Sequence, residues 1–110
     1  MVMSNTARPI LKIEDFSKSP GGRERSDGRF SGEEYREEVI APALKKYHDI
    51  AVDLRGVRVI IPSFVDEAFG PYIEKWGAEE FNRRIELLYR PGSTLEDIVR
   101  ETIRLRNSKR

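Results

Sequence analysis

The sequence predicts a small α/β domain, a mixed sheet with about three amphipathic helices packed against it. Three segments predict it. Ile50-Ala51-Val52-Asp53-Leu54 is a strand with apolar residues facing both ways, the pattern of a strand covered on two sides. Val65, Ala68, Phe69, Tyr72, Ile73 and Trp76 then repeat at helical spacing without a miss. Ile85-Glu86-Leu87-Leu88-Tyr89 follows as a second strand, and strand, helix, strand in that order implies a parallel, right-handed crossover.

The remaining elements follow in chain order. Residues 1–8 are expected to be a flexible N-terminus, and Ile10–Ile13 is a short strand behind Pro9. Ser17 to Arg29 holds the turn dipeptides of Pro20-Gly21-Gly22 and Asp27-Gly28. Part of it is expected to fold as a hairpin, because long structureless loops are uncommon in compact domains. Ser31-Gly32-Glu33-Glu34 reads as a capping box opening a helix whose apolar side is Tyr35, Val39 and Ala43, with Pro42 kinking or splitting it. Val57–Ile61 reads either as a strand or as an extended loop under the next helix. Ser63 with Asp66 resembles a capping box for that helix, Pro71 predicts a kink within it and Gly77 its end. Ser93 with Glu96 opens the last helix, with Leu95, Ile98, Val99, Thr102 and Ile103 as its stripe. The domain is expected over 9–106, with 107–110 frayed.

Composition narrows the function classes. One domain suffices for 110 residues, and the absence of cysteine excludes disulfides and thiolate metal sites and suits a reducing cytoplasm. No apolar run approaches the roughly 20 residues of a membrane span. Twenty basic against nineteen acidic residues argue against a general nucleic-acid binder. His48 is the only histidine, so no histidine-based metal cluster forms, and neither a metal nor a cofactor is expected. Nothing in the spacing places His48 as a base beside a nucleophile, so the protein is not expected to be an enzyme.

Charge is unevenly spread. Asp66, Glu67, Glu74, Glu79 and Glu80 face only Lys75 between positions 66 and 80, and the chain beyond Arg83 is rich in arginine. Asp66, Glu67 and Glu74 therefore suggest an acidic docking face on the second helix, with Ser63 at that helix's N-terminus as a cap or a regulatory serine. Adjacent helix positions diverge by about 100°, so Asp66 and Glu67 do not form a catalytic pair. Asp53 is expected to cap the Arg55-Gly56 turn at the strand's end. Arg23, Arg25 and Arg29 sit among glycines, the ingredients of a phosphate-binding loop, though without a Gly-Lys-Ser/Thr ending.

Pro20-Gly21-Gly22-Arg23, Ser31-Gly32-Glu33-Glu34-Tyr35-Arg36, Val52-Asp53-Leu54-Arg55-Gly56 and above all Ser63-Phe64-Val65-Asp66-Glu67-Ala68-Phe69-Gly70 resemble the STAS-like domain family of uncharacterised bacterial proteins. The resemblance spans roughly Pro9 to Ile103 and implies a STAS-like fold. That family is similar in turn to anti-sigma-factor antagonist STAS domains, where a helix opens with Asp-Ser-Ser-Gly and the first serine is phosphorylated by a partner kinase. Aligned without gaps, Ile61, Pro62, Ser63 and Phe64 fill the four positions, so the phosphorylated position falls on Pro62 and Ser63 matches the second serine. The resemblance implies a regulatory protein-interaction module that docks a protein partner of histidine-kinase-like ATPase type. The alternative is a small-ligand or nucleotide-phosphate sensor using the Arg23/Arg25/Arg29 loop.

Overall fold

The computed structural model describes residues 8–110, so the flexible segment expected over 1–8 lies almost wholly outside the described residues. Three strands, β1 (Ile10–Lys12), β2 (Ile50–Asp53) and β3 (Ile85–Leu88), form one sheet in the order β1-β2-β3, with β2 interior as predicted. Both pairings are parallel, so the sheet is not the mixed one expected. Every connection passes through helix, and a long helical crossover returns the chain in the same direction.

The hairpin expected between Ser17 and Arg29 does not form. Its backbone groups are taken by the helix that follows. The first N–H groups of α1 (Gly32–Tyr35) have no partner within the helix, and the Gly22 and Arg23 carbonyls accept them at 2.9 and 3.0 Å. A 3₁₀ turn, Arg25–Asp27, closes the loop tip through reciprocal Glu24–Asp27 bonds. Ser31 caps α1 as predicted, its Oγ accepting the Glu34 N–H at 3.0 Å.

Next comes a π-turn, Arg36–Ile40, and then α2 (Ala41–Lys46). The break predicted at Pro42 takes this form: Pro42 has no N–H to give, and the backbone widens by one residue just ahead of it.

The central helix α3 (Pro62–Trp76) starts two residues earlier than a cap at Ser63 would place it and stops at Gly77. Pro62 occupies its first position, where a fixed φ and a missing N–H cost nothing. Ile61 is the N-cap, and Ser63 makes no capping bond. The capping box expected of Ser63 and Asp66 is therefore absent. Val57–Ile61 is loop rather than strand. Helix α4 (Ala78–Arg84) leads into β3, and α5 (Thr94–Asn107) closes the chain with Ser93 as its cap, accepting the Glu96 N–H at 3.2 Å. Asn107 accepts the first N–H of α4, and Arg110 donates to the Glu74 carbonyl.

The core lies on one face of the sheet. Leu11, Ile50, Val52, Ile85 and Leu87 meet the buried α3 stripe of Val65, Ala68, Phe69 and Ile73, together with Phe81 and Val99. On the opposite face Ala51 is also buried, at 2% exposure, so β2 is covered on both sides as expected, with Arg8 reaching across to the Ile50 and Arg83 carbonyls; Ile10, on the edge strand, is 59% exposed. Gly32 lets α1 approach α3 closely: a Cβ there would lie 2.5 Å from the Phe64 carbonyl oxygen.

Phe69 is fully buried against the Phe81 ring, with centroids 6.2 Å apart. Phe69→Ala is expected to cost about 3–5 kcal/mol by cavity formation, read from urea unfolding. A loss near zero would remove the α3 stripe as the seat of the core.

Candidate functional site

The acidic face predicted on α3 is matched internally by arginines. Asp66 accepts Arg106 Nε at 2.7 Å and Nη2 at 3.0 Å, and on its other side Arg23 Nη1 at 2.6 Å. Glu74, two turns on, takes Arg106 Nη1 at 2.5 Å. Glu67 takes Arg36 Nη1 at 2.8 Å. Asp66, Glu67 and Glu74 are therefore not a free acidic surface; they are counter-ions for three arginines brought from the loop, the π-turn and α5.

Two features of α3 make room for these arginines. Gly70 leaves the slot in which Arg106 lies: a Cβ there would come within 2.6 Å of the Arg106 guanidinium. Pro71 has no N–H, which strips the Glu67 carbonyl of its helical partner, and Arg36 donates to that carbonyl instead. The α3 helix continues through Pro71 with the lost bond replaced from outside.

The charge pairing sets the ionisation of the group. The Arg106 hydrogen bond, helped by Arg23 against the opposing effect of burial, holds the Asp66 carboxyl down to about 2. Arg106 is correspondingly raised by Asp66 and then Glu74. A carboxylate this weakly basic is a poor proton acceptor for the neighbouring Ser63 hydroxyl.

The network floors a groove of about 530 Å³ between the amino end of α3 and the length of α5. Pro62, Ile98 and Leu105 give it apolar surface, Ser63 and Thr94 polar edges, and Arg23 and Arg106 reach it from below. Leu105 stands 44% exposed.

The other predicted site residues lie apart. Arg25 pairs with Glu37 and Glu38 at 3.1 and 3.0 Å, and the Arg29 guanidinium lies 4.7 Å over the Phe30 ring. With Arg23 committed to Asp66, the three loop arginines do not converge on one phosphate-sized point. Asp53 does what the strand-end reading expected, accepting the Arg55 N–H at 2.9 Å and its side chain at 2.9 and 3.1 Å. His48 precedes the amino end of β2 and meets Asp49 at 2.6 Å. Trp76 packs on Tyr72, beneath the Arg84 guanidinium.

Arg36 and Arg106 are the site residues the sequence reading missed. The signals were local: a glycine one turn after Asp66, which opens space for a guanidinium, and a mid-helix proline that frees a carbonyl.

A parallel three-stranded α/β fold, with a helix springing from the loop after its central strand and a groove beside that helix, is of STAS-like type. The chain belongs to the family described as STAS-like domain of unknown function (DUF4325), which matches residues 31–88. That stretch runs from the α1 cap through β3, so Asp66, Glu67, Gly70, Glu74 and Arg36 lie inside it, and Arg23 and Arg106 outside. No curated protein and no solved structure matches the chain.

Because Asp66 is depressed in the folded state, its contribution is present above its ordinary unfolded value near 3.9 and disappears as pH falls toward about 2. Asp66→Asn is expected to flatten the acid limb of a stability-versus-pH profile between roughly pH 5 and 2. An acid limb identical to that of the unaltered chain would mean that Asp66 is not the titrating link.

Proposed function

We propose that the protein is a non-catalytic, cytoplasmic regulatory module that docks a protein partner through the groove between α3 and α5, beside Ser63. The observation that carries this reading is the make-up of the groove: the apolar side chains of Pro62, Ile98 and Leu105 stand among polar and charged groups, between two helices tied by the Asp66–Arg106 pair. That is the anatomy of a protein-binding surface. The family's similarity to anti-sigma-factor antagonist domains supports a partner with a histidine-kinase-like ATPase fold. It also supports Ser63 as the position where binding is regulated.

The electrostatics suit that role. Ser63 lies in the first turn of a fifteen-residue helix, where negative charge is favoured. The neighbouring carboxylates, which would repel a phosphate on Ser63, are already matched by Arg23, Arg36 and Arg106. Ser63 makes no capping bond, so its replacement reports on binding rather than on helix stability. A reading as an enzyme lacks a base for Ser63, since the adjacent carboxylate is too acidic. A reading as a nucleotide-phosphate sensor lacks a convergent arginine set.

Affinity capture from the native host with mass spectrometry tests the proposal. Leu105→Glu, at an exposed groove position, is expected to lose the partner recovered by the unaltered chain while melting within about 0.5 kcal/mol of it. Ser63→Ala and Ser63→Asp are expected to shift partner affinity in opposite directions. Equal recovery by Leu105→Glu, or a hydrolytic turnover abolished by Ser63→Ala, would overturn the reading.

A further inference from the structure

The groove between α3 and α5 has an order of charge along its length. Asp97, Glu101 and Leu105 recur every four residues and so form one row on α5, and the turn just after the helix adds Lys109. All four line the groove and all four are exposed. Ile98 and Thr102 form the row behind them, and Pro62 of α3 faces them across the groove. The groove is therefore acidic beside the start of α5, apolar in the middle and basic beyond its end.

These charges are open to a partner. Asp97 and Lys109 form no ion pair among the described residues. Glu101 pairs only with Arg104 of its own helix, at 2.7 Å, and both side chains are more than half exposed. A pair of that kind holds its members weakly. Arg23 and Arg106, by contrast, are spent on Asp66 and Glu74.

The walls decide the form of the occupant. Both are helices, whose backbone groups are used internally, so the groove offers no strand edge to pair with. A segment lying on its apolar floor must satisfy its own backbone, and a helix does so. From Thr94 to Lys109 the groove spans about four helical turns, or roughly 22 Å, the length of a helix of about fifteen residues. Charge fixes the direction. Basic groups of the occupant belong beside Asp97 and Glu101, and acidic groups beside Lys109. A helix antiparallel to α5 then carries its acidic residues in its first turn and its basic residues in its last, where its own dipole favours each.

We infer that the groove takes an amphipathic helix of the partner, antiparallel to α5, acidic at its start and basic at its end. The inference rests on the docking role proposed above and names the element that docks.

Two synthetic helical peptides of about sixteen residues test it against the full chain by amide NMR shifts. Both carry leucines at helical spacing and an internal staple that keeps them helical. One has glutamates in its first turn and arginines in its last; the other has them exchanged. The first is expected to bind with a Kd on the order of 10–100 μM and to shift the amides of Ile98, Thr102 and Leu105. The exchanged peptide is expected to bind about tenfold or more weakly. Asp97→Lys with Glu101→Lys is expected to weaken the first peptide by a similar factor, and Leu105→Glu to abolish its binding, with melting curves confirming that both variants fold. Equal binding of the two peptides, indifference to the double Lys variant, or groove amides unmoved by the first peptide at roughly 1 mM would overturn the inference. If Leu105→Glu loses the captured partner while neither peptide binds, the docking role stands and the helix falls. If Leu105→Glu keeps that partner, the docking role falls and takes the helix with it.

Discussion

The ion pair between Asp66 of α3 and Arg106 of α5 is the contact on which the rest of this side of the molecule depends. It joins the central helix to the last one across a slot that exists because position 70 is glycine. Arg23 approaches the same carboxylate from the opposite side, so a single side chain ties the loop before α1, the helix after β2 and the end of the chain. Carboxylates shared between two guanidiniums are favourable where the second charge offsets desolvation, and here both side chains are largely covered while keeping an edge in water. The groove beside Ser63 is the space left between elements held in this way.

The same helix shows how a proline is accommodated where packing demands a continuous rod. The freed Glu67 carbonyl and the Glu67 carboxylate are both served by Arg36, from the π-turn that Pro42 itself occasions. Two prolines far apart in sequence are thereby coupled: one loosens the first helix into a wide turn, and that turn carries the donor the other lacks. The α1–π–α2 segment is consequently anchored to α3 by charge as well as by the close approach at Gly32.

Much of this was legible in the chain, and the losses have physical causes. The α3 stripe and the interior position of Ile50–Leu54 followed from periodicity, because hydrophobic spacing is set by the helix and strand repeats themselves. The caps at Ser31 and Ser93 were readable because a cap is local chemistry. Ser63 misled because Pro62 fits the first helical position, which moves the cap back to Ile61 and leaves Ser63 inside the first turn. A hairpin was expected over Ser17–Arg29 because its glycines form turn dipeptides, whereas Gly22 and Arg23 give their carbonyls to the α1 N-terminus. The acidic face of α3 looked free because its counter-ions lie 31 to 43 residues away in sequence, distances no local pattern records.

The central claim is that Asp66 and Arg106 act as one unit holding α3 to α5. A double-mutant cycle of Asp66→Asn and Arg106→Gln, followed by urea unfolding near neutral pH, tests it most directly. The two changes are expected to be strongly non-additive, with a coupling energy on the order of 1 kcal/mol or more, as for residues within one hydrogen-bonded network. Losses that simply sum, as they do for distant independent sites, would contradict the account.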